Sequence, residues 1–163
     1  MAREPKTAVP GWTDGLPYTL YRANQAVHRL VLEAIDGLPV TITQLGLVVH
    51  LDELGHMSAS DLARLFRLTP QSVSTALGHL ERIGWVRRRP HPVHGRVIWY
   101  EATDEGLAGA EAGRERLAAL DVRLRETLGG AEHDELIRDL RAVGVAIDGE
   151  PQPAGPLWPD PVG

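Results

Sequence analysis

The fold is decided by the stretch Thr69-Pro70-Gln71-Ser72-Val73-Ser74-Thr75-Ala76-Leu77-Gly78-His79-Leu80-Glu81-Arg82-Ile83-Gly84 of this 163-residue chain. Thr69 is suited to cap a helix N-terminus, Pro70 fits the first helical position, and Gly84 fits the position beyond the last turn. The apolar residues between these limits recur at helical spacing, so one face is expected to lie against a core. They are Val73, Leu77, Leu80 and Ile83. The stretch therefore predicts a helix with a defined start and a defined end.

The opposite face of this helix carries short, uncharged, hydrogen-bonding side chains. It consists of Gln71, Ser72, Ser74, Thr75, Gly78 and His79. Exposed helices usually carry pairs of Glu and Lys on such a face, and these are missing here. Small polar side chains near a helix N-terminus are suited to the base edges and phosphates of a major groove. Taken alone, the same face also fits a polar surface helix of poor helix propensity.

The flanking segments favour the first interpretation. Ser58 and Asp61 resemble a capping box and predict a short preceding helix, which only Arg67-Leu68-Thr69 separates from the next one. This is the connection length of a helix-turn-helix. Downstream, residues 85–89 and 96–100 predict two strands around a turn that contains Pro and Gly. A helix-turn-helix followed by a basic hairpin is a winged helix.

These elements resemble the MarR family of bacterial transcriptional regulators over roughly residues 18 to 146. The resemblance rests on Ser60-Asp61-Leu62-Ala63, Leu80-Glu81, Gly84, Val86, Arg88-Arg89-Pro90, Arg96 and Thr103-Asp104-Glu105-Gly106, which keep the order and spacing of the family. The chain departs from the pattern at His94, where members usually carry Asp, and at Ile83, where Lys or Arg is common. The resemblance implies a mainly α fold with a small β-hairpin wing (α+β), a winged helix-turn-helix with N- and C-terminal dimerisation helices.

Composition narrows the class of protein. Cysteine is absent, which excludes disulfides, thiolate nucleophiles and thiolate metal ligands. His50 and His56 are six residues apart with Gly55 between them, a spacing that does not suit zinc, so no metal site is predicted. No catalytic motif occurs, and we expect neither an enzyme nor a cofactor. The chain has no long apolar run and no charged-then-apolar leader, so a cytoplasmic location without membrane contact is expected.

The net charge of −5 is distributed unevenly. Residues 58–100 contain seven Arg against Asp61 and Glu81, a local net charge of +5, which leaves −10 for the rest of the chain. Affinity for nucleic acid depends on this local field, because counterions are released only where Lys or Arg meets phosphate. We therefore expect Arg87, Arg88 and Arg89, with almost no compensating acid, to face phosphate or a narrow minor groove.

The chain is expected to form one domain of residues 18–147 between a flexible N-terminal tail, 1–17, and a Pro-rich C-terminal tail, 148–163. Helices are predicted from Tyr18 to about Asp36, from Thr41 or Thr43 to Gly55, after Thr103 to about Leu128, and from about Glu132 to Ala146. The apolar stripes of the terminal helices exceed what a small winged helix can bury, which predicts a homodimer. The dimerisation residues expected are Leu20, Val27, Leu124, Leu128, Leu136, Leu140 and Val143.

The predicted function is that of a homodimeric, sequence-specific DNA-binding transcription regulator, a repressor, on a pseudo-palindromic double-stranded operator. The DNA-contacting residues expected are Thr69, Gln71, Ser72, Ser74, Thr75, His79, Arg88, Arg89, His94 and Arg96. The resemblance also implies a small aromatic effector, for which Tyr21, His28 and His50 are candidate contacts. The alternative is a winged-helix protein-interaction module without specific DNA readout.

Overall fold

A computed structural model describes residues 11–91 and 97–149 of the chain. In this part of the chain the element order is α1 (Leu16–Ala34), α2 (Ile42–Leu54), β1 (Met57–Ser58), α3 (Ala59–Phe66), α4 (Pro70–Arg82), β2 (Val86–Pro90), β3 (Ile98–Ala102), α5 (Asp104–Leu128) and α6 (Gly130–Asp148). Helices α3 and α4 form the helix-turn-helix, and β2 and β3 form the wing. The predicted class, a mainly α winged helix with a small β-hairpin, is confirmed.

The sheet is antiparallel, with strand order β1-β3-β2. The hairpin register runs from Val86 opposite Ala102 to Pro90 opposite Ile98, so each strand starts one or two residues later than predicted. Strand β1 was not predicted, because two residues are too few to show a hydrophobic period. The tip of the wing, which includes His94 and Arg96, lies outside the described residues, as do most of the two predicted tails.

The predicted caps are in place at the helix-turn-helix and after the wing. Thr69 Oγ1 accepts a hydrogen bond from the Ser72 amide at 3.1 Å, and Gly84 takes a positive φ of 79° after the last turn of α4. Thr103 accepts from the amide of Gly106 at 3.1 Å at the start of α5. Because these bonds satisfy amides that the helix itself leaves unpaired, the helix starts could be read from short-range sequence.

The two terminal helices are longer than predicted. Helix α1 begins at Leu16 rather than Tyr18, since Pro17 is compatible with a first helical turn, which needs no backbone donor there. It ends at Ala34, ahead of Gly37, whose φ is 81°. Helix α6 begins at Gly130, two residues before the predicted start, and ends at Asp148.

The core lies between α2, α4 and α5. Helix α2 is central, as predicted, and its Leu45, Leu47, Val48 and Leu51 are almost completely buried. The inner face of α4, formed by Val73, Leu77 and Leu80, is fully buried. Each such side chain contributes roughly 1.5–3 kcal/mol on burial, so α4 is held firmly by this face and its polar face points away from the core.

Helix α5 packs unusually close to the end of the helix-turn-helix because it presents glycines there. A Cβ on Gly109 would lie 2.3 Å from Cη2 of Trp85, and one on Gly113 would lie 2.6 Å from Cδ1 of Leu45. Side chains at these positions would push α5 away from the wing base and from α2. Within residues 11–91 and 97–149, no helix is both long and apolar enough to cross a membrane.

Candidate nucleic-acid interface

The outer face of α4 is exposed over its first turns. The side chains of Gln71, Ser72, Ser74 and Thr75 all lie on the surface. Ser72 and Thr75 have local partners: Ser72 Oγ is 2.8 Å from Thr69 Oγ1, and Thr75 donates to the carbonyl of Gln71 at 3.0 Å. Gln71 and Ser74 make no side-chain hydrogen bond to any described residue. Their side chains are therefore the two on this face that a ligand could engage without displacing an existing bond.

His79, also predicted to reach bases or phosphates, is half-buried and engaged within the chain. Its Nε2 lies 2.9 Å from the carbonyl of Pro39, and Arg82 donates to its Nδ1 at 2.6 Å. Since Nδ1 must accept from Arg82, the hydrogen on Nε2 points to Pro39 and the ring is neutral in this arrangement. A DNA contact by His79 would require one of these bonds to break. The bond to Pro39 joins the outer helix of the helix-turn-helix to the loop between α1 and α2.

The arginines of β2 are paired with carboxylates, so the expectation of almost no compensating acid is wrong. Arg87 Nε lies 2.5 Å from Glu101 Oε1, and Arg89 lies 3.8 Å from the other oxygen of Glu101. On the opposite face of the strand, Arg88 lies 3.0 Å from Glu81 of α4. Glu101 falls one residue beyond the segment 58–100 and stands directly opposite Arg87 in the hairpin. The pair could have been found from the hairpin register, which depends on where the strands end.

The base of the wing is built on buried aromatic rings. Trp99 is fully buried, and its ring centroid lies 3.8 Å from that of His56 and 4.2 Å from that of His91. The guanidinium of Arg89 lies 5.9 Å from the centre of the Trp99 ring, at the limit of a cation–π contact. The outer strand of the wing is therefore held against a rigid indole rather than against mobile aliphatic side chains.

The turn of the helix-turn-helix also contacts the C-terminal helix. Arg67 takes a left-handed conformation with φ of 52°, and it lies 2.7 Å from Asp148, the last residue of α6. The hydrogen bond with Asp148 raises the pKa of Arg67 above its ordinary value. This contact joins the end of the chain's last helix to the turn that orients α4.

Of the three candidate effector contacts, only His28 lines a cavity. A groove of about 490 Å³ runs between the end of α1 and the loop that leads to α2. It is lined by His28, Leu32, Ile35, Asp36, Gly37, Leu38, Val40, Thr41 and Ile42. Tyr21 is exposed elsewhere on α1, and His50 instead lies 2.8 Å from the carbonyl of Gly46 with its ring edge-on to Phe66. The structure does not bring the three residues into one site.

The predicted dimerisation residues lie on α1, α5 and α6. Leu20, Leu124 and Val143 are half-buried in the chain, whereas Val27, Leu128, Leu136 and Leu140 are between 41% and 46% exposed. Nine of the twelve large exposed apolar side chains in the described residues belong to these three helices. In the same part of the chain, no group of three or more His, Asp or Glu is arranged to hold a metal ion.

Comparison with known proteins decides the family. A sequence profile described as the MarR family matches residues 36–97, which span α2, the helix-turn-helix and the first half of the wing. An HTH-type transcriptional regulator of Mycobacterium tuberculosis is 32% identical over 101 residues, covering 57% of this chain and 71% of that protein. The chain belongs to the MarR family. A second relative, an HTH-type transcriptional repressor of the same species, is 29% identical over 136 residues and covers 82% of this chain and 98% of its own length.

A solved MarR-like structure agrees with this fold. The transcriptional repressor CouR, bound to a 23-mer DNA duplex, superposes with a TM-score of 0.77 at 24% identity and covers 81% of this chain and 94% of its own. At that identity the likeness concerns the fold alone. As a MarR family protein, the chain is a winged-helix transcriptional regulator, and its curated relatives are regulators rather than enzymes.

Proposed function

We propose that this MarR family protein is a homodimeric repressor that binds a pseudo-palindromic operator and releases it when a small molecule binds. The observation that carries the proposal is the outer face of α4, where the Gln71 and Ser74 side chains project beside the N-terminus of a helix anchored by its buried face. Gln can pair with adenine through two hydrogen bonds in the major groove. The wing beside α4 supplies arginines for the phosphate backbone.

The proposed contacts divide by the partners that the structure already gives them. Gln71 and Ser74 would reach base edges, while Ser72, Thr75 and the α4 N-terminus capped by Thr69 would face phosphate. Arg88 and Arg89 would serve the flanking backbone after leaving their carboxylate partners. His79, His94 and Arg96 stay predicted contacts, the last two at the tip of the wing.

The dimer is supported by the apolar surface of the terminal helices. Leu136 and Leu140 lie one helical turn apart on α6 and are nearly half exposed, and Ile147 near the end of the helix is 76% exposed. Contiguous apolar surface of this kind marks an interface rather than a solvated face. The proposed occupant is a second copy of the chain, which would place two copies of α4 for successive major grooves. The proposed dimer-forming domain is the one predicted as residues 18–147.

Relief by an effector is supported by the position of the groove beside α1. The Pro39 carbonyl that His79 contacts lies between Leu38 and Val40, two of the groove's lining residues. A small aromatic molecule that displaces this loop would break the bond to His79 and free α4 to shift. Action as a repressor is supported by the curated relative of that description, and a regulator bound to chromosomal DNA would work in the cytoplasm.

The test is binding of duplex DNA by the full chain. Operator fragments selected from a random pool should carry two related half-sites about 10 base pairs apart. Their binding, followed by fluorescence anisotropy, should weaken as salt rises, with a slope of about −0.9 for each phosphate contact. Sedimentation of the complex should give two chains per duplex. Failure to bind any duplex at low salt would refute the proposal and favour the protein-interaction module.

A further inference from the structure

Glu101 lies where it can oppose the wing's attraction for DNA. We propose that Glu101 limits binding to non-specific DNA by competing with phosphate for Arg87 and Arg89. The inference rests on the proposed DNA binding and adds to it a residue that determines specificity without touching a base.

The geometry makes Glu101 a fixed competitor. Arg87 and Glu101 are directly opposite in the hairpin, and Arg89 is two residues further along the same face of β2. The Glu101 side chain is only 24% exposed, whereas those of Arg87 and Arg89 are 69% and 49% exposed. The carboxylate is thus held in place by the sheet, while the two guanidinium groups point to where a partner molecule would arrive.

The charges determine what this competition does. The face of β2 that carries Arg87 and Arg89 has a charge of +2 without Glu101 and +1 with it. A phosphate that takes over a guanidinium must leave the carboxylate partly buried beside it without its ion pair, which costs free energy. At an operator, the base contacts of α4 can offset that cost, but random DNA offers no such contacts. Glu101 therefore weakens non-specific binding more than it weakens specific binding.

The test compares the parent with Glu101→Gln on a random-sequence duplex by fluorescence anisotropy over a range of salt concentrations. Glutamine keeps the side-chain length and can still accept a hydrogen bond, but it removes the charge. If the variant gains one phosphate contact per protomer, affinity should rise roughly eightfold at about 0.1 M salt, because each contact adds about 0.9 to the salt slope. With both arginines released, the slope should steepen by about 1.8 per protomer.

Two further variants separate this effect from a change in total charge. Glu126→Gln makes the same charge change in the last turn of α5, about 33 Å along the helix from its start beside the wing, and should leave affinity for random DNA unchanged. Adding Arg87→Ala and Arg89→Ala to Glu101→Gln should abolish the gain. Equal gains in Glu101→Gln and Glu126→Gln would overturn the inference, as would a gain that survives loss of both arginines.

Folding and the proposed function are checked with the same samples. Thermal unfolding of Glu101→Gln should match the parent within a few degrees, since an exposed ion pair contributes roughly 0–1 kcal/mol. A parent that binds duplex with the expected salt dependence, beside a Glu101→Gln protein of equal affinity and slope, would overturn this inference and leave the proposed function standing. A parent that binds no duplex would remove both.

Discussion

Replacing Asp61 should destabilise the helix-turn-helix far more than replacing an exposed cap. The Asp61 carboxylate is fully buried and accepts two hydrogen bonds from Ser58, from the hydroxyl at 2.6 Å and from the amide at 3.1 Å. In return, Ser58 Oγ accepts from the Asp61 amide at 3.2 Å. The side chain of Arg64 adds an ion pair at 3.7 Å. The change Asp61→Ala removes both bonds to the carboxylate but leaves the buried Ser58 amide in place.

The magnitude follows from these bonds. Hydrogen bonds to a charged group contribute about 1.5–3 kcal/mol each, and a buried amide left without its acceptor costs roughly 1–3 kcal/mol. These contributions overlap, so we expect Asp61→Ala to lower the free energy of unfolding by about 3–5 kcal/mol. A domain is stable by only about 5–15 kcal/mol, so the variant should be close to unfolding at physiological temperature. Asp61→Asn retains one acceptor oxygen and should lose about half as much.

The measurement is urea unfolding followed by far-ultraviolet circular dichroism, at one fixed protein concentration because a dimer's stability depends on it. Thr69→Ala is the matched control, since Thr69 also caps a helix but is exposed, and it should lose only about 1 kcal/mol. A loss of less than about 1 kcal/mol for Asp61→Ala, or a loss no larger than that of Thr69→Ala, would show that the buried carboxylate is not the residue that holds α3 in place.

Three other predictions test separate parts of the molecule. Gly109→Ala would place a Cβ 2.3 Å from the Trp85 ring and should cost about 1–3 kcal/mol in urea unfolding, while Gly78→Ala, whose Cβ meets no atom within 4 Å, should be neutral or stabilising. The hydrogen bonds from Arg125 lower the pKa of Asp134, so the stability that this carboxylate contributes is present above its ordinary pKa of about 3.9 and is lost as pH falls through the lower folded value. In thermal unfolding, Asp134→Asn should therefore be less stable than the parent at neutral pH and should lose less stability below about pH 4; parallel curves would contradict this. Gln71→Ala should relax base preference at one position of each half-site, by roughly 1–3 kcal/mol, in binding to selected operators, and an equal loss on random duplexes would identify Gln71 as a backbone contact.

Short-range chemistry determined most of the helix-turn-helix. Caps act over three or four residues, so Ser58 and Thr69 placed the starts of α3 and α4 correctly, and Gly84 placed the end of α4. The buried and exposed faces of α4 followed from its helical period in the same way. Boundaries were less certain where no cap operates, as at Leu16, because an uncapped helix start depends on what the first turn packs against.

Only the tertiary structure decided which distant groups meet. The pairing of Glu101 with Arg87 depends on the hairpin register, and a shift of one residue would put Glu101 on the other face of the sheet. The bond between His79 and the carbonyl of Pro39 spans 40 residues and depends on how α2 seats α4 against the preceding loop. The sequence by itself thus determined the polar face that the protein presents, because that face follows from the local period of one helix. The tertiary structure decided which of its neighbouring charges are already neutralised, because an ion pair depends on distances between elements that no local pattern encodes.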